Sequence, residues 1–154
     1  RWLIGEDPIE VYASGHAWYP EIASFNDYDA VVIMLKFPSG ITTTIDLHRN
    51  ARYGYDQRIE VMGSLGMVEA HNKPKTSMVL STDAGVVSDN ISYSFTDRYP
   101  DAYKAEIVHF IDVVRNKGRV PLRVTHQDVR KCGIIADACD KSAHEGIPIK
   151  ISYE

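Results

Sequence analysis

Residues 8–87 fall into short runs rich in Val, Ile, Thr and Tyr, separated by turn residues, a pattern that predicts strands joined by hairpins. The first expected strand covers residues 10–14. Residues 30–37 and 41–49 are expected to pair across Pro38-Ser39-Gly40, whose glycine suits the turn. A second hairpin joins 59–62 to 67–69 through Gly63-Ser64-Leu65-Gly66, and a third joins 77–81 to 85–88, hinged at Thr82-Asp83-Ala84. In the segment 41–47, Ile41, Ile45 and Leu47 alternate with Thr42, Thr44 and Asp46. One face of that strand should therefore pack, leaving the other to water or a partner. An open face of this size is a natural association surface.

The period then changes from two to about 3.6. Over residues 100–116, Tyr103, Ile107, Phe110, Ile111 and Val114 recur at steps of three and four, which predicts a helix with Pro100 in its first turn and Gly118 just past its end. A second helix opens at Thr125, a side chain able to cap the amide of Asp128, and runs through Val129, Ile135, Ala136 and Cys139 to a stop at Gly146. Ile147, Ile149, Ile151 and Tyr153 alternate as a final strand returning to the sheet. At the other end, Arg1-Trp2-Leu3-Ile4-Gly5 looks like the last turn of a helix closed by its glycine, so the chain is expected to be a piece of something longer. Without repeat, low-complexity segment or linker, residues 1–154 read as one α+β unit.

Composition narrows the function classes. A chain of 154 residues, 44% apolar and 25% charged, can be expected to bury about two thirds of its surface. A net charge of -4 with no basic run argues against nucleic acid or an anionic membrane as partner. No run approaches the roughly 18 apolar residues of a membrane span, and no signal segment is present, so a cytoplasmic protein is expected. Cys132 and Cys139 are seven residues apart on the second helix, about 10 Å along its axis, which is too far for a disulfide and suits buried free thiols.

Few motifs carry chemistry. No G-x-G-x-x-G turn is present to cradle a dinucleotide, and Gly63-Ser64-Leu65-Gly66 reads as a plain turn. The six histidines show no zinc-ligand spacing, so no metal is expected. His48, near Asp46 and Asn50, is either a base or a half-exposed strand histidine. Asp97, Asp101 and Glu106 read as charges near a helix start, and serine or cysteine nucleophile signatures are missing. The segment Arg49-Asn50-Ala51-Arg52-Tyr53-Gly54-Tyr55-Asp56-Gln57-Arg58 is different. Tyrosines offer an apolar face and a hydrogen-bonding tip, while Arg and Asn supply donors, a combination suited to a polyhydroxylated ligand; it equally suits a decorated strand edge with Tyr53 and Tyr55 on opposite sides.

Tyr53-Gly54-Tyr55-Asp56, leading into Glu60-Val61-Met62-Gly63-Ser64-Leu65-Gly66-Met67, resembles the C-terminal domain of the inositol 2-dehydrogenase-like branch of the glucose-fructose oxidoreductase and inositol dehydrogenase (Gfo/Idh/MocA) family. Arg1-Trp2-Leu3 with Gly5-Glu6-Asp7, Leu35-Lys36-Phe37 with Ser39-Gly40, and Asp97-Arg98-Tyr99 with Ala102-Tyr103 and Glu106 match in family order along the chain. The resemblance implies an α+β domain with an open, mostly antiparallel sheet and helices packed on one face, a two-layer sandwich of the ferredoxin-like or dihydrodipicolinate-reductase-like kind. It also implies a parent enzyme that oxidises a CH–OH group of a cyclic polyol or sugar, with NAD or NADP on an N-terminal Rossmann domain that is not in this sequence. The family's E-K-P lysine does not occur here and its catalytic D-x-x-x-H stretch falls, by the family pattern, a few residues upstream of Arg1, so no catalytic residue and no bound cofactor are expected on this chain alone. Carried over by motif, Tyr55 and Tyr103 would hydrogen-bond substrate hydroxyls. Asn50 and Arg52 are further candidates, the arginine with the alternative role of orienting Asp56. The implied partners are the polyol, the Rossmann domain, and further copies of the chain through the sheet face. The competing reading is a non-catalytic binding or assembly module that uses that face.

Overall fold

The alternation over residues 10–48 becomes three consecutive antiparallel strands in the computed structural model, which describes residues 1–154. These are β1 (Glu10–His16), β2 (Ala30–Lys36) and β3 (Thr42–His48). A short helix, α1 (Pro20–Ser24), interrupts the loop between β1 and β2; its five residues are too few for a helical period to show in the sequence. Then come β4 (Ile59–Gly63), β5 (Gly66–Ala70), β6 (Val79–Thr82), β7 (Gly85–Ser88), α2 (Phe95–Arg98), α3 (Pro100–Arg115), α4 (His126–Glu145) and β8 (Ile149–Lys150). The chain divides into two compact units, Arg1–Asn50 with Leu122–Glu154, and Ala51–Pro121.

The first unit is a four-stranded antiparallel sheet in the order β3-β2-β1-β8, with α4 packed on β1 and β8. Register explains its core. Val11 pairs with Leu35 and Ala13 with Ile33, so these four side chains share one face and, with Phe37, are the buried apolar residues. Helix α4 covers them with Ile135, Ala138, Cys139 and Ala143, a three-and-four spacing. Two expectations fail here. Ala136 lies on the exposed side of α4, and Cys132 is exposed, so only Cys139 is a partly buried thiol, its pKa raised by burial. The expected packed face of β3 is not packed either: Ile45 and Leu47 remain 40% and 54% exposed, because α4 sits over β1 and β8 while β3 is the far edge.

Both ends of this unit are closed by polar groups. Thr125 and Asp128 form a reciprocal capping box at the start of α4, and Gly146 ends it in the left-handed conformation. Ser142, fully buried on α4, accepts a hydrogen bond from the Ala13 amide at 2.9 Å and donates to the Ile147 carbonyl at 2.6 Å. Strand β8 pairs with β1 only at Glu10 and Val11. The serine hydroxyl thus accepts from an amide beyond the end of that ladder. The segment 1–5 closes as a single turn, with the Gly5 amide donating to the Arg1 carbonyl and Gly5 at φ +79°. Asp7 then accepts from Arg1 at 2.5 Å and from Lys131 of α4.

In the second unit, β4 pairs with β5 and β6 with β7 as separate two-stranded hairpins instead of extending the larger sheet. No residue of α3 is buried, although its apolar stripe forms where the periodicity predicts it; Tyr103, Ile107, Phe110, Ile111 and Val114 are 40% to 62% exposed. The chain leaves 12151 Å² accessible. A compact monomer of its 17.3 kDa would leave about 7,800 Å², so the expected two-thirds burial is not reached.

Candidate functional site

The segment between β3 and β4 is not a strand. It is an irregular turn held from below by residues 91–99. Gly54, buried at φ +139°, lies against Ile91, and a Cβ there would overlap the Ile91 side chain and approach the Ser92 carbonyl to 3.1 Å. The Tyr55 amide donates to that same Ser92 carbonyl at 2.8 Å. Glycine is required here both by the backbone angle and by the absence of space. Arg98 donates to the Gln57 carbonyl at 2.8 Å and to the Tyr99 hydroxyl at 2.9 Å, and Tyr99 donates to the Gln57 side chain.

Asp56 is the electrostatic centre of the turn. It accepts from Arg58 Nε at 2.8 Å, from the Tyr53 hydroxyl and from the Asn72 amide. The Arg58 bond, followed by those from Tyr53 and Asn72, pulls its pKa down to about 2. The expected role of Arg52 in orienting Asp56 therefore falls to Arg58. Because the folded-state pKa lies below the ordinary 3.8, the stabilisation is complete above about pH 4 and is lost as pH falls towards 2. Urea midpoints measured from pH 5 to pH 2 should fall more steeply for the native chain than for Asp56→Asn; parallel curves would show that Asp56 is not the group responsible.

The four residues singled out from the sequence are placed as follows. Tyr55 and Tyr103 flank one ring: Tyr55 meets Phe95 edge-on at 6.2 Å, and Phe95 meets Tyr103 at 6.4 Å. Tyr99 completes the group, 6.3 Å from Tyr55. These edge-to-face contacts fix the planes of both tyrosines, while Tyr103 keeps 45% of its surface exposed. Arg52 borders a different concavity of about 300 Å³, together with Tyr53 and Tyr93. Asn50 belongs to the other unit, where its side-chain amide donates to the Tyr19 hydroxyl at 2.9 Å. His48 accepts the Asn50 backbone N–H on Nδ1 at 3.0 Å.

Phe95, Tyr99 and Arg98 were not expected as site residues. The signal was available in the spacing, since Phe95, Tyr99 and Tyr103 recur every four residues, but the break between α2 and α3 at Tyr99-Pro100 hides it. No group of three or more His, Cys, Asp or Glu side chains could hold a metal ion. Nor do the helix starts suit a pyrophosphate. The first-turn amides of α4 face the Thr125–Asp128 box with its carboxylate, and α3 opens with Pro100 and Asp101.

Comparison with known proteins gives this arrangement a context. Residues 1–69 match the sequence profile described as GFO/IDH/MocA C-terminal domain. An uncharacterized oxidoreductase, YrbE, of Bacillus subtilis is 37% identical over 99% of this chain and 45% of its own length. The myo-inositol 2-dehydrogenase of Thermotoga maritima is 38% identical over 98% of this chain and 45% of its own length. Among solved structures, myo-inositol 2-dehydrogenase from Lactobacillus plantarum superposes with a TM-score of 0.89 at 32% identity, covering 99% of this chain and 44% of that one. The chain thus spans somewhat under half the length of the relatives it matches. The profile match over residues 1–69 and the end-to-end alignment with these relatives make the chain similar to the C-terminal domain of the GFO/IDH/MocA family.

Proposed function

We propose that this chain is the substrate-binding and assembly half of an NAD(P)-dependent oxidoreductase acting on a CH–OH group of a cyclic polyol, of the inositol 2-dehydrogenase type. The observation that carries this reading is the pair of tyrosines, Tyr55 and Tyr103, each in edge-on contact with Phe95. A ring bearing several hydroxyls is well served by two phenol tips held by such packing, since each phenol can donate and accept. The naming of relatives at 30–38% identity as inositol dehydrogenases supports the same substrate class. The residues present do not fit a dinucleotide, so its binding and the hydride step are assigned to the remainder of the parent protein, and 1–154 is expected to be inactive alone. Tyr55 and Tyr103 would orient the ring.

The test is NADH formation with myo-inositol by the protein expressed from its complete reading frame, beside residues 1–154 alone. Tyr55→Phe should raise KM roughly tenfold with a smaller change in kcat, the loss of about one hydrogen bond to a substrate hydroxyl. Turnover of no polyol at all would overturn the reading.

A second reading, a binding or assembly module, is favoured by one observation. On the face of the sheet away from α4, Tyr12, Val32 and Met34 are 38%, 55% and 46% exposed. Thr44 and Asp46 lie in register beside Met34 and Val32 on the same face. This face is proposed as the contact between copies of the chain in either reading.

A further inference from the structure

We infer that the concavity bounded by Arg52, Lys75 and Tyr93 is a second, separate binding site for an anionic polyol, a ring or chain of hydroxyls carrying one phosphate or carboxylate. Its walls come from three backbone stretches of the second unit, fixed to one another independently of any ligand. The Lys75 amide donates to the Asn90 carbonyl at 3.1 Å, Pro74 bridges to Ile91, and Gly54 rests on Ile91. The resulting hollow of about 300 Å³ lies at the lower end of the range for small-molecule sites.

Its charge is the reverse of the chain's. The protein carries a net -4, yet the lining has two cations, Arg52 and Lys75, against one carboxylate, Asp89. Asp89 is already engaged: Oδ2 accepts from Thr76 at 2.8 Å and Oδ1 from the Asn90 amide at 2.8 Å. Neither Arg52 nor Lys75 lies within an ion pair. Lys75 acts electrostatically on Asp89, which still leaves the hollow one positive charge in excess, and a guanidinium fork beside an ammonium favours a bound anion. Tyr53 and Tyr93, 62% and 73% exposed, add aromatic faces to the same hollow, which bare phosphate would not use but a polyol would.

The site is distinct from the Tyr55–Phe95–Tyr103 group, and its test does not depend on dehydrogenase activity. Isothermal titration of the protein from its complete reading frame with inositol 1-phosphate, glucuronate, myo-inositol and inorganic phosphate reads binding without turnover. The two anionic polyols should bind at least tenfold more tightly than inorganic phosphate, with affinity falling as salt rises. Arg52→Gln and Lys75→Gln should each weaken that binding tenfold or more while leaving the melting temperature in place. Equal affinity for inorganic phosphate, or binding of the anionic polyols indifferent to both substitutions, would overturn the proposal. Each of those results leaves the dehydrogenase reading untouched, because NADH formation is not the readout.

Discussion

Gly54→Ala is expected to destabilise the protein by roughly 2–5 kcal/mol, combining the cost of a non-glycine residue in a sparsely populated backbone region with overpacking against a neighbour. The neighbour is Ile91, whose Cδ1 would lie 3.0 Å from the new Cβ, with Cγ1 nearer still. At φ +139° the alanine cannot relieve the overlap by a local adjustment that L-residues favour. Thermal unfolding should register a fall of roughly 5–15 °C. The two causes can be separated. If contact with Ile91 dominates, Gly54→Ala with Ile91→Ala will cost less than the sum of the single changes, by roughly 0.5–3 kcal/mol; additive costs would assign the whole effect to backbone strain. Either way Tyr55, whose amide bonds Ser92, moves with the turn, so polyol affinity should fall although no phenol has been removed.

Ser142→Ala has the second largest expected effect. The change deletes one oxygen and removes the partner of the buried Ala13 N–H and of the part-buried Ile147 carbonyl. At about 1–3 kcal/mol for each group left unsatisfied, a loss of roughly 2–5 kcal/mol is expected. Ser24→Ala provides the comparison. There the hydroxyl also donates to a backbone carbonyl, that of Glu21 at 2.7 Å, but in an exposed helix where water replaces it, so the change should stay within about 0.5 kcal/mol. Urea denaturation of both variants measures the difference. Similar midpoints for the two would show that the inner hydroxyl is not what joins α4 to β1.

The sequence made some of this legible for identifiable reasons. Strands β1 to β3 were readable because β-branched runs end at strong turn formers, and Pro38-Ser39-Gly40 allowed the pairing of β2 with β3. The capping box of α4 is written in Thr125 and Asp128, both local to the helix start. Ser142 was not readable, since a serine at a core position of an amphipathic helix looks like a polar interruption until its two distant partners are known. The alternation in β3 reports only which residues share a face, and the tertiary position of α4 decides whether that face is covered. Tyr55 and Tyr103 were reached through the family motif, whereas Phe95, which sets their planes, lies beyond a proline that breaks the helical period. The standing of Arg52 changed for a comparable reason. Its sequence neighbour Asp56 pairs with Arg58, so charge proximity along the chain gave the wrong arginine.

Strand β8 joins β1 across nearly the whole length of the chain, with Val11 opposite Ile149, while Ala51–Pro121 forms a unit within that span. The first unit can close only by bringing together segments that a disordered intervening chain would hold apart at an entropic cost that rises with the logarithm of its length. The two hairpins and α3, built from neighbours in sequence, need no such closure. The inserted unit can therefore form from local contacts alone, and lengthening it at the exposed Asp83-Ala84 turn is expected to be a milder perturbation than loosening it at Gly54.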